Sequence, residues 1–311
     1  VALCTLEQRI FRGEVKMPLP CTGGHEVSGE IVALGDGVNK KMWAPGDRVA
    51  VRLLYNCGEC YYCRTGHANL CERAQKKPVR EGLLIGPGGL CDYVIVNTGY
   101  LFKIPDTLSY EEASLTEPLA CVVHSVTKAN IQLGEDVVVI GGGIMGQYHV
   151  MLAKRRGARV IMSEVDESRR ALARKLGADI TFNPMEKDPV EYVKSLTEGR
   201  GADVVFNTTA IPSVVPQAIA MTGKAGRMIQ YSSMHPDAPA PVSPQMLHGN
   251  EPILTGSISP DVHDFFTANR LLSGGIIDCK PLIAKKFPFE QAQQAFEAAI
   301  VPGTFRVIIT D

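Results

Sequence analysis

The sequence predicts an α/β protein in which a doubly wound parallel sheet is joined to an irregular, β-rich domain. Three observations carry this. Residues 1–118 are rich in Gly, Pro and short β-type runs, whereas strand-like and helix-like segments alternate from Asp136 onward. The apolar run Val137-Val138-Val139-Ile140 leads straight into Gly141-Gly142-Gly143-Ile144-Met145-Gly146. Hydrophobic residues make up 45% of 311 positions, enough for two cores of ordinary size.

In the first segment, Ile31–Leu34, Arg48–Val51 and Tyr93–Val96 read as strands, separated by turn signals such as Gly35-Asp36-Gly37 and Pro45-Gly46-Asp47. In the second, Val137–Ile140, Val160–Ser163, Ile180–Phe182, Val204–Asn207 and Arg227–Tyr231 are short apolar runs. Helical periodicity covers 144–156, 167–176, 188–197 and 213–222 between them. Strands alternating with helices imply a parallel sheet covered on both faces. Residues 236–244 form a Pro-rich loop. Beyond about residue 260 the pattern is less regular, with one clear helix over 289–299 and a closing strand, Arg306–Thr310.

Charge and cysteine usage narrow the function. With 32 Lys+Arg against 33 Asp+Glu the net charge is −1, so no electrostatic footprint for nucleic acid exists. No apolar run approaches the roughly 18 residues that span a membrane, so no membrane partner is expected. Four of the nine cysteines crowd into 57–71. That points to metal binding in a reducing, cytoplasmic compartment, not to a disulfide framework.

Cys57, Cys60, Cys63 and Cys71 stand in the spacing C-x2-C-x2-C-x7-C. Thiolates so spaced reach around one tetrahedral Zn²⁺ and close it to substrate, a structural site; an iron–sulfur cluster would use similar ligands. The Gly-rich segment follows a strand, opens a helix and precedes a second strand ending at Glu164, the context of a Rossmann dinucleotide site. There Gly141 permits a tight turn, Gly143 a close approach of backbone to pyrophosphate, and Gly146 close helix packing. The helix N-terminus offers amides and a positive dipole end to the phosphates. Glu164 stands where a carboxylate accepts hydrogen bonds from adenosine ribose hydroxyls and repels a 2′-phosphate, favouring NAD. Arg169 or Arg170 could offset that repulsion.

Gly24-His25-Glu26-Val27-Ser28-Gly29-Glu30-Ile31-Val32, Gly46-Asp47-Arg48-Val49, the cysteine lobe and Glu117-Pro118-Leu119-Ala120-Cys121 resemble the zinc-containing medium-chain dehydrogenases. The similarity is greatest to the sorbitol, threonine and sugar-alcohol subgroup, and runs through the whole chain to Arg306-Val307-Ile308-Ile309. It implies a GroES-like catalytic domain over 1–118 completed by 260–311, a Rossmann domain over 119–259, and a second, catalytic zinc. Its ligands would be Cys4, His25, Glu26 and Glu117, leaving a position open for water or a substrate alcohol. Met145, Glu164 and Arg169 would line the adenosine half of the cofactor site, and Tyr231–Ser233 with Ile258–Pro260 would approach the nicotinamide. The implied reaction is NAD-linked oxidation of a secondary alcohol in a polyol, sugar derivative, hydroxy acid or hydroxy amino acid, by a homodimer or homotetramer. A zinc-free enone reductase of the same architecture, or a binding protein on this fold, are the alternatives.

The chain departs from the family's pattern at two places. Where relatives carry Ser or Thr two residues after the first cysteine, to relay the substrate proton, this chain has Leu6; Thr5, or a zinc-bound water with Glu26, is the expected substitute. Where sorbitol dehydrogenases carry an Arg-Tyr pair, this chain has Ser259-Pro260, which argues against sorbitol itself. Relatives also have a β-rich segment before the first ligand cysteine, so the native chain is expected to begin upstream of Val1.

Overall fold

Three antiparallel strands, β1 (Glu26–Glu30), β2 (Arg48–Arg52) and β3 (Leu101–Lys103), open the structure in the order β1-β2-β3. The computed structural model describes residues 1–74, 84–234 and 237–311; Pro236, the first residue of the predicted Pro-rich loop, lies outside them. β2 forms where predicted, but its partner is not Ile31–Leu34. The ladder ends at Glu30 opposite Arg48, because the Pro45-Gly46-Asp47 turn carries the chain away there. Ile31 is buried beside it while Val32 is exposed. The strand that does pair, Glu-Val-Ser-Gly-Glu, is too polar to read as an apolar run. Tyr93–Val96 keeps its alternation, with Val94 and Val96 packed on the β1–β2 core and Tyr93 and Ile95 outward, yet joins no ladder among the described residues.

The second unit, Val122–Ile258, is a six-stranded sheet. It comprises β4 (Asp136–Ile140), β5 (Arg159–Ser163), β6 (Ile180–Phe182), β7 (Ala202–Asn207), β8 (Thr222–Gln230) and β9 (Ile253–Gly256). The order is β6-β5-β4-β7-β8-β9 and every neighbouring pair is parallel. Helices Ile144–Arg155, Glu167–Leu176, Pro189–Leu196 and Val214–Met221 connect the strands. Every residue of β4 is buried, as expected of a central strand covered on both faces. The strand order reverses beside β4, where the Gly-rich turn lies, the position at which open α/β sheets bind ligands. β9 went unpredicted: it is a short edge strand of half-exposed residues with little apolar signal.

His149, on helix Ile144–Arg155, is fully buried. Its Nδ1–H donates to the Met145 carbonyl at 2.8 Å, and Nε2 accepts from the Ser125 hydroxyl at 2.9 Å, so both ring nitrogens serve the neutral form. Burial lowers its pKa from 6.5 to about 4. Between those values the unfolded chain holds a proton that the folded chain refuses, so stability is lost as pH falls through this window. The loss is about 3 kcal/mol. Denaturant unfolding of this unit at pH 7 and pH 4.5 should show it, and His149→Gln should be flatter across the same range. Parallel loss in both proteins would contradict the assignment.

The chain then returns to the first unit, which comprises Val1–Cys121 and Ser259–Asp311. Helix Val262–Ser273 begins with a capping box, the Asp261 side chain accepting from the Asp264 amide and Asp264 returning the bond. It lies where the sequence pattern was least regular. The predicted 289–299 helix is a 3₁₀ turn, Phe289–Gln291, followed by helix Ala292–Ala299. β10 (Ile283–Pro288) and β11 (Arg306–Thr310) pair in parallel. Among the described residues no helix is long and apolar enough to cross a membrane.

Candidate functional site

The N-terminal residues are strung between two strands. Ala2 bridges Glu26 of β1 and Ile308 of β11, and the Leu3 amide donates to the Val307 carbonyl at 2.9 Å. This sets Cys4 at the N-cap of helix Thr5–Phe11, beside the start of β1. Gly24 precedes β1 with φ +84°, and a side chain there would meet the Leu90 backbone amide at 2.7 Å, so only glycine delivers His25 at this spot. Donor atoms of Cys4, His25 and Glu26 lie within 4.8 Å of one another.

Each member is oriented by a neighbour. Glu7, one turn along from Cys4, accepts the Gly24 amide at 3.0 Å and His25 Nδ1 at 2.8 Å with the same oxygen. That fixes the proton on Nδ1 and leaves the Nε2 lone pair for a metal, the usual carboxylate–histidine support of a metal ligand. Burial alone would lower the His25 pKa, but Cys4 and Glu7 hold it well above its ordinary value, so a metal at Nε2 would bind by displacing a proton. Glu7 moves the other way: its bonds to His25 and Gly24 outweigh burial and lower it. Glu26 is fully buried and takes Arg306 in a fork, Nε to Oε2 at 2.9 Å and Nη2 to Oε1 at 2.5 Å. Burial, with Glu117 close by, pushes Glu26 up to about 7 against the pull of Arg306.

Glu117 falls outside the 4.8 Å grouping of Cys4, His25 and Glu26, though its charge acts on both His25 and Glu26. It is buried in the first turn of helix Thr116–Ala129, and its Oε1 accepts the Cys121 thiol at 3.4 Å. Burial, then the Glu117 charge, raises that thiol well above its ordinary pKa. Thr5 and Leu6 both face outward on the first turn of their helix, Leu6 being 42% exposed.

Cys57, Cys60, Cys63 and Cys71 converge within the same 4.8 Å limit. The Cys57–Cys63 and Cys60–Cys71 sulfur pairs are both 4.0 Å apart. A tetrahedron with metal–sulfur bonds of about 2.3 Å has edges of about 3.8 Å, so the four sulfurs fit one zinc ion. Amides of Cys57 and Arg73 point at the Cys71 sulfur and that of Cys60 at Cys57, which stabilises thiolate charge.

In the second unit the Gly-rich turn follows β4. Gly141 has φ +97°, and a methyl group on Gly146 would lie 1.8 Å from the Gly141 carbonyl, so helix and strand meet too closely for any other residue. Gly143 caps the helix without a side-chain bond, and a methyl there would meet no atom within 4 Å. The helix N-terminus, with Met145 in its first turn, therefore has open space beside Gly143 that suits an anion. Glu164, the residue after β5, is folded over this turn: one carboxylate oxygen accepts the Gly142 amide and the other the Asp166 amide at 2.9 Å. Arg169 Nη1 lies 3.9 Å from the same carboxylate. Arg170 is committed elsewhere, to the carbonyls of Glu164 and Val165 and to Glu167, which removes it as a partner for a 2′-phosphate. Tyr231 packs edge-on against His149, and the Ser232 hydroxyl donates to the Thr208 carbonyl. At the other predicted loop Ser259 adopts φ +50°, and the Pro260 carbonyl accepts from Arg52.

Glu7 and Arg306 escaped the sequence reading. The spacing of Glu7 from Cys4 on one helix could have flagged it. Nothing local could have joined Arg306 to Glu26 across 280 residues.

Comparison with known proteins gives the same two parts. Residues 1–106 match the family model for an alcohol dehydrogenase GroES-like domain, and residues 145–274 that for a zinc-binding dehydrogenase. The D-arabitol-phosphate dehydrogenase of Enterococcus avium is 33% identical over 313 residues, covering 99% of this chain and 86% of the relative. A Sinorhizobium meliloti 1021 protein solved with NADP bound aligns with a TM-score of 0.89 at 29% identity, over 99% of this chain and 89% of its own. An Escherichia coli CFT073 alcohol dehydrogenase complexed with NADH aligns with a TM-score of 0.87 at 25% identity, over 100% and 89%.

Proposed function

Because the chain belongs to the zinc-binding dehydrogenases with a GroES-like alcohol dehydrogenase domain, we propose that it oxidises a secondary alcohol of a polyol or sugar derivative, with NAD as acceptor. The observation that carries this is the convergence of Cys4, His25 and Glu26 on one point, with Glu7 and Arg306 orienting two of them. Zinc held by that triplet, with Glu117 in reserve, would supply a Lewis acid that lowers the pKa of a substrate hydroxyl. A second zinc in the cysteine lobe would be structural. The nicotinamide held by the Gly-rich unit would supply the hydride acceptor.

The chain's own residues then do three things. Glu7 keeps the His25 ring in one tautomer. Arg306 holds Glu26 in place within the triplet, leaving each Glu26 oxygen a spare lone pair. Thr5, next to Cys4 and exposed to water, passes the hydroxyl proton to solvent in place of the side-chain hydroxyl that Leu6 lacks. Thr5→Val should then lower kcat by roughly 10²-fold and shift its pH profile, as loss of general acid–base help does. An unchanged profile would return that role to Glu26.

NAD is favoured over NADP because a buried carboxylate and a 2′-phosphate repel each other at Glu164; Arg170 is held elsewhere, which leaves Arg169, 3.9 Å from that carboxylate, as the one cation of the pair that could offset the repulsion. Glu164→Ser should raise the NADP-to-NAD ratio of kcat/KM by about tenfold or more, a change of about 1.4 kcal/mol. A wild-type preference for NADP would overturn this assignment. The overall reading is tested by titrating a panel of polyols, polyol phosphates, sugar acids and hydroxy amino acids against zinc-replete protein and following NADH. Absence of turnover across the panel would favour a binding protein on this fold.

A further inference from the structure

A groove of about 690 Å³ runs between β3 with the turn before it and helix Val262–Ser273, wholly inside the first unit. It contains none of the metal-set residues. Phe266, Asn269, Arg270 and Ser273, spaced by three, four and seven, present one helix face to it, and Thr98 and Lys103 line the opposite side.

The polar groups along it are incompletely used. Asn269 is 6% exposed; its Nδ2 donates to the Lys103 carbonyl at 3.0 Å, while Oδ1 is buried with no hydrogen-bond partner. The Ser273 hydroxyl is likewise buried and unpartnered. Leaving such atoms unpaired costs free energy that a bound group could recover. Arg270 is exposed and has no carboxylate partner among the described residues, whereas the Lys103 amine is held by Asp47 at 2.8 Å and adds only positive potential. Phe266, 48% exposed, offers an apolar face between them.

These groups ask for different things from one occupant. A guanidinium without a partner takes an anionic oxygen, most strongly through two parallel bonds. An amide oxygen needs a donor, which a fully ionised anion lacks and a hydroxyl has. An aromatic face suits the C–H side of a short carbon chain. We propose that this groove is a second ligand site, for a small polyhydroxylated anion such as a sugar-alcohol phosphate or a sugar acid.

The test is calorimetric titration of the zinc-replete protein with glycerol 3-phosphate, glycerate, glycerol and inorganic phosphate. At least one of the two anionic polyols should bind saturably, which also separates phosphate from carboxylate recognition; glycerol and inorganic phosphate should each bind about tenfold more weakly or less. Arg270→Gln, an exposed change checked for intact folding by its melting curve, should raise the Kd about tenfold or more. His25→Ala should leave that Kd unchanged, which separates this site from the metal set. Wild-type affinity in Arg270→Gln, loss of binding in His25→Ala, or no saturable binding would overturn the proposal. Inorganic phosphate binding as tightly as glycerol 3-phosphate would refute its hydroxyl part.

Discussion

His25→Ala is expected to lower kcat/KM by about 10³-fold or more while leaving the fold intact. Loss of a Lewis-acid site removes several kcal/mol of transition-state stabilisation, and each 1.36 kcal/mol is about tenfold in rate. The side chain is buried, but it stands just before β1 and its hydrogen-bond partner Glu7 also accepts from the Gly24 amide, so the local backbone keeps one tie. Elemental analysis should find about one zinc per chain instead of about two, with circular dichroism unchanged. Glu7→Gln supplies the graded companion. It keeps the volume but weakens the support of the ring, and should cost about 10- to 100-fold in metal affinity at this site alone. If His25→Ala retains activity with both zinc ions bound, the triplet is not the metal site.

Cys60→Ser is expected to do the opposite: it unfolds before it inactivates. The cysteine lobe has little apolar interior of its own. Its segment is two short turns, Tyr61–Arg64 and Ala68–Leu70, with Tyr61 and Leu70 exposed. Its order is therefore expected to rest on a bound metal, and structural zinc sites in peptides contribute roughly 10 kcal/mol or more. Replacing one thiolate should forfeit much of that, seen as loss of one zinc, early proteolysis within 57–71 and a lower melting temperature. The metal recovered from wild-type protein also decides the lobe's chemistry: iron with sulfide would replace zinc in that role. A variant that keeps wild-type zinc content and melting temperature would show that the lobe stands without its metal.

Much of this protein is written locally. β4, β5, β6 and β7, the four helices between 144 and 221, and the closing strand could be read from apolar runs and periodicity, because their burial is set by neighbours in a regular sheet. The cysteine spacing and Gly-rich turn could be read as well, since thiolates on one short loop and glycines at one turn need no distant partner. Their chemistry is nearly independent of the rest of the fold.

Other features depended on tertiary structure. β1 is a polar pentapeptide that pairs only because β2 is beside it, whereas Ile31–Leu34, more strand-like by composition, joins no ladder, only Ile31 bonding to the backbone of Gly46 and Asp47 in the turn. The grouping of Cys4 with His25 needs Ala2 to bridge β1 and β11, and Glu26 meets a cation from the far end of the chain. Glu117, from the first turn of another helix, brings its charge to His25 and Glu26 only through the fold. Residue types and their spacing specify which chemistry a chain can perform, because those are properties of a few neighbouring atoms. Which groups share a dielectric, a proton or a metal is decided only when segments hundreds of residues apart are brought within a few ångströms, where Coulomb and hydrogen-bond energies become large.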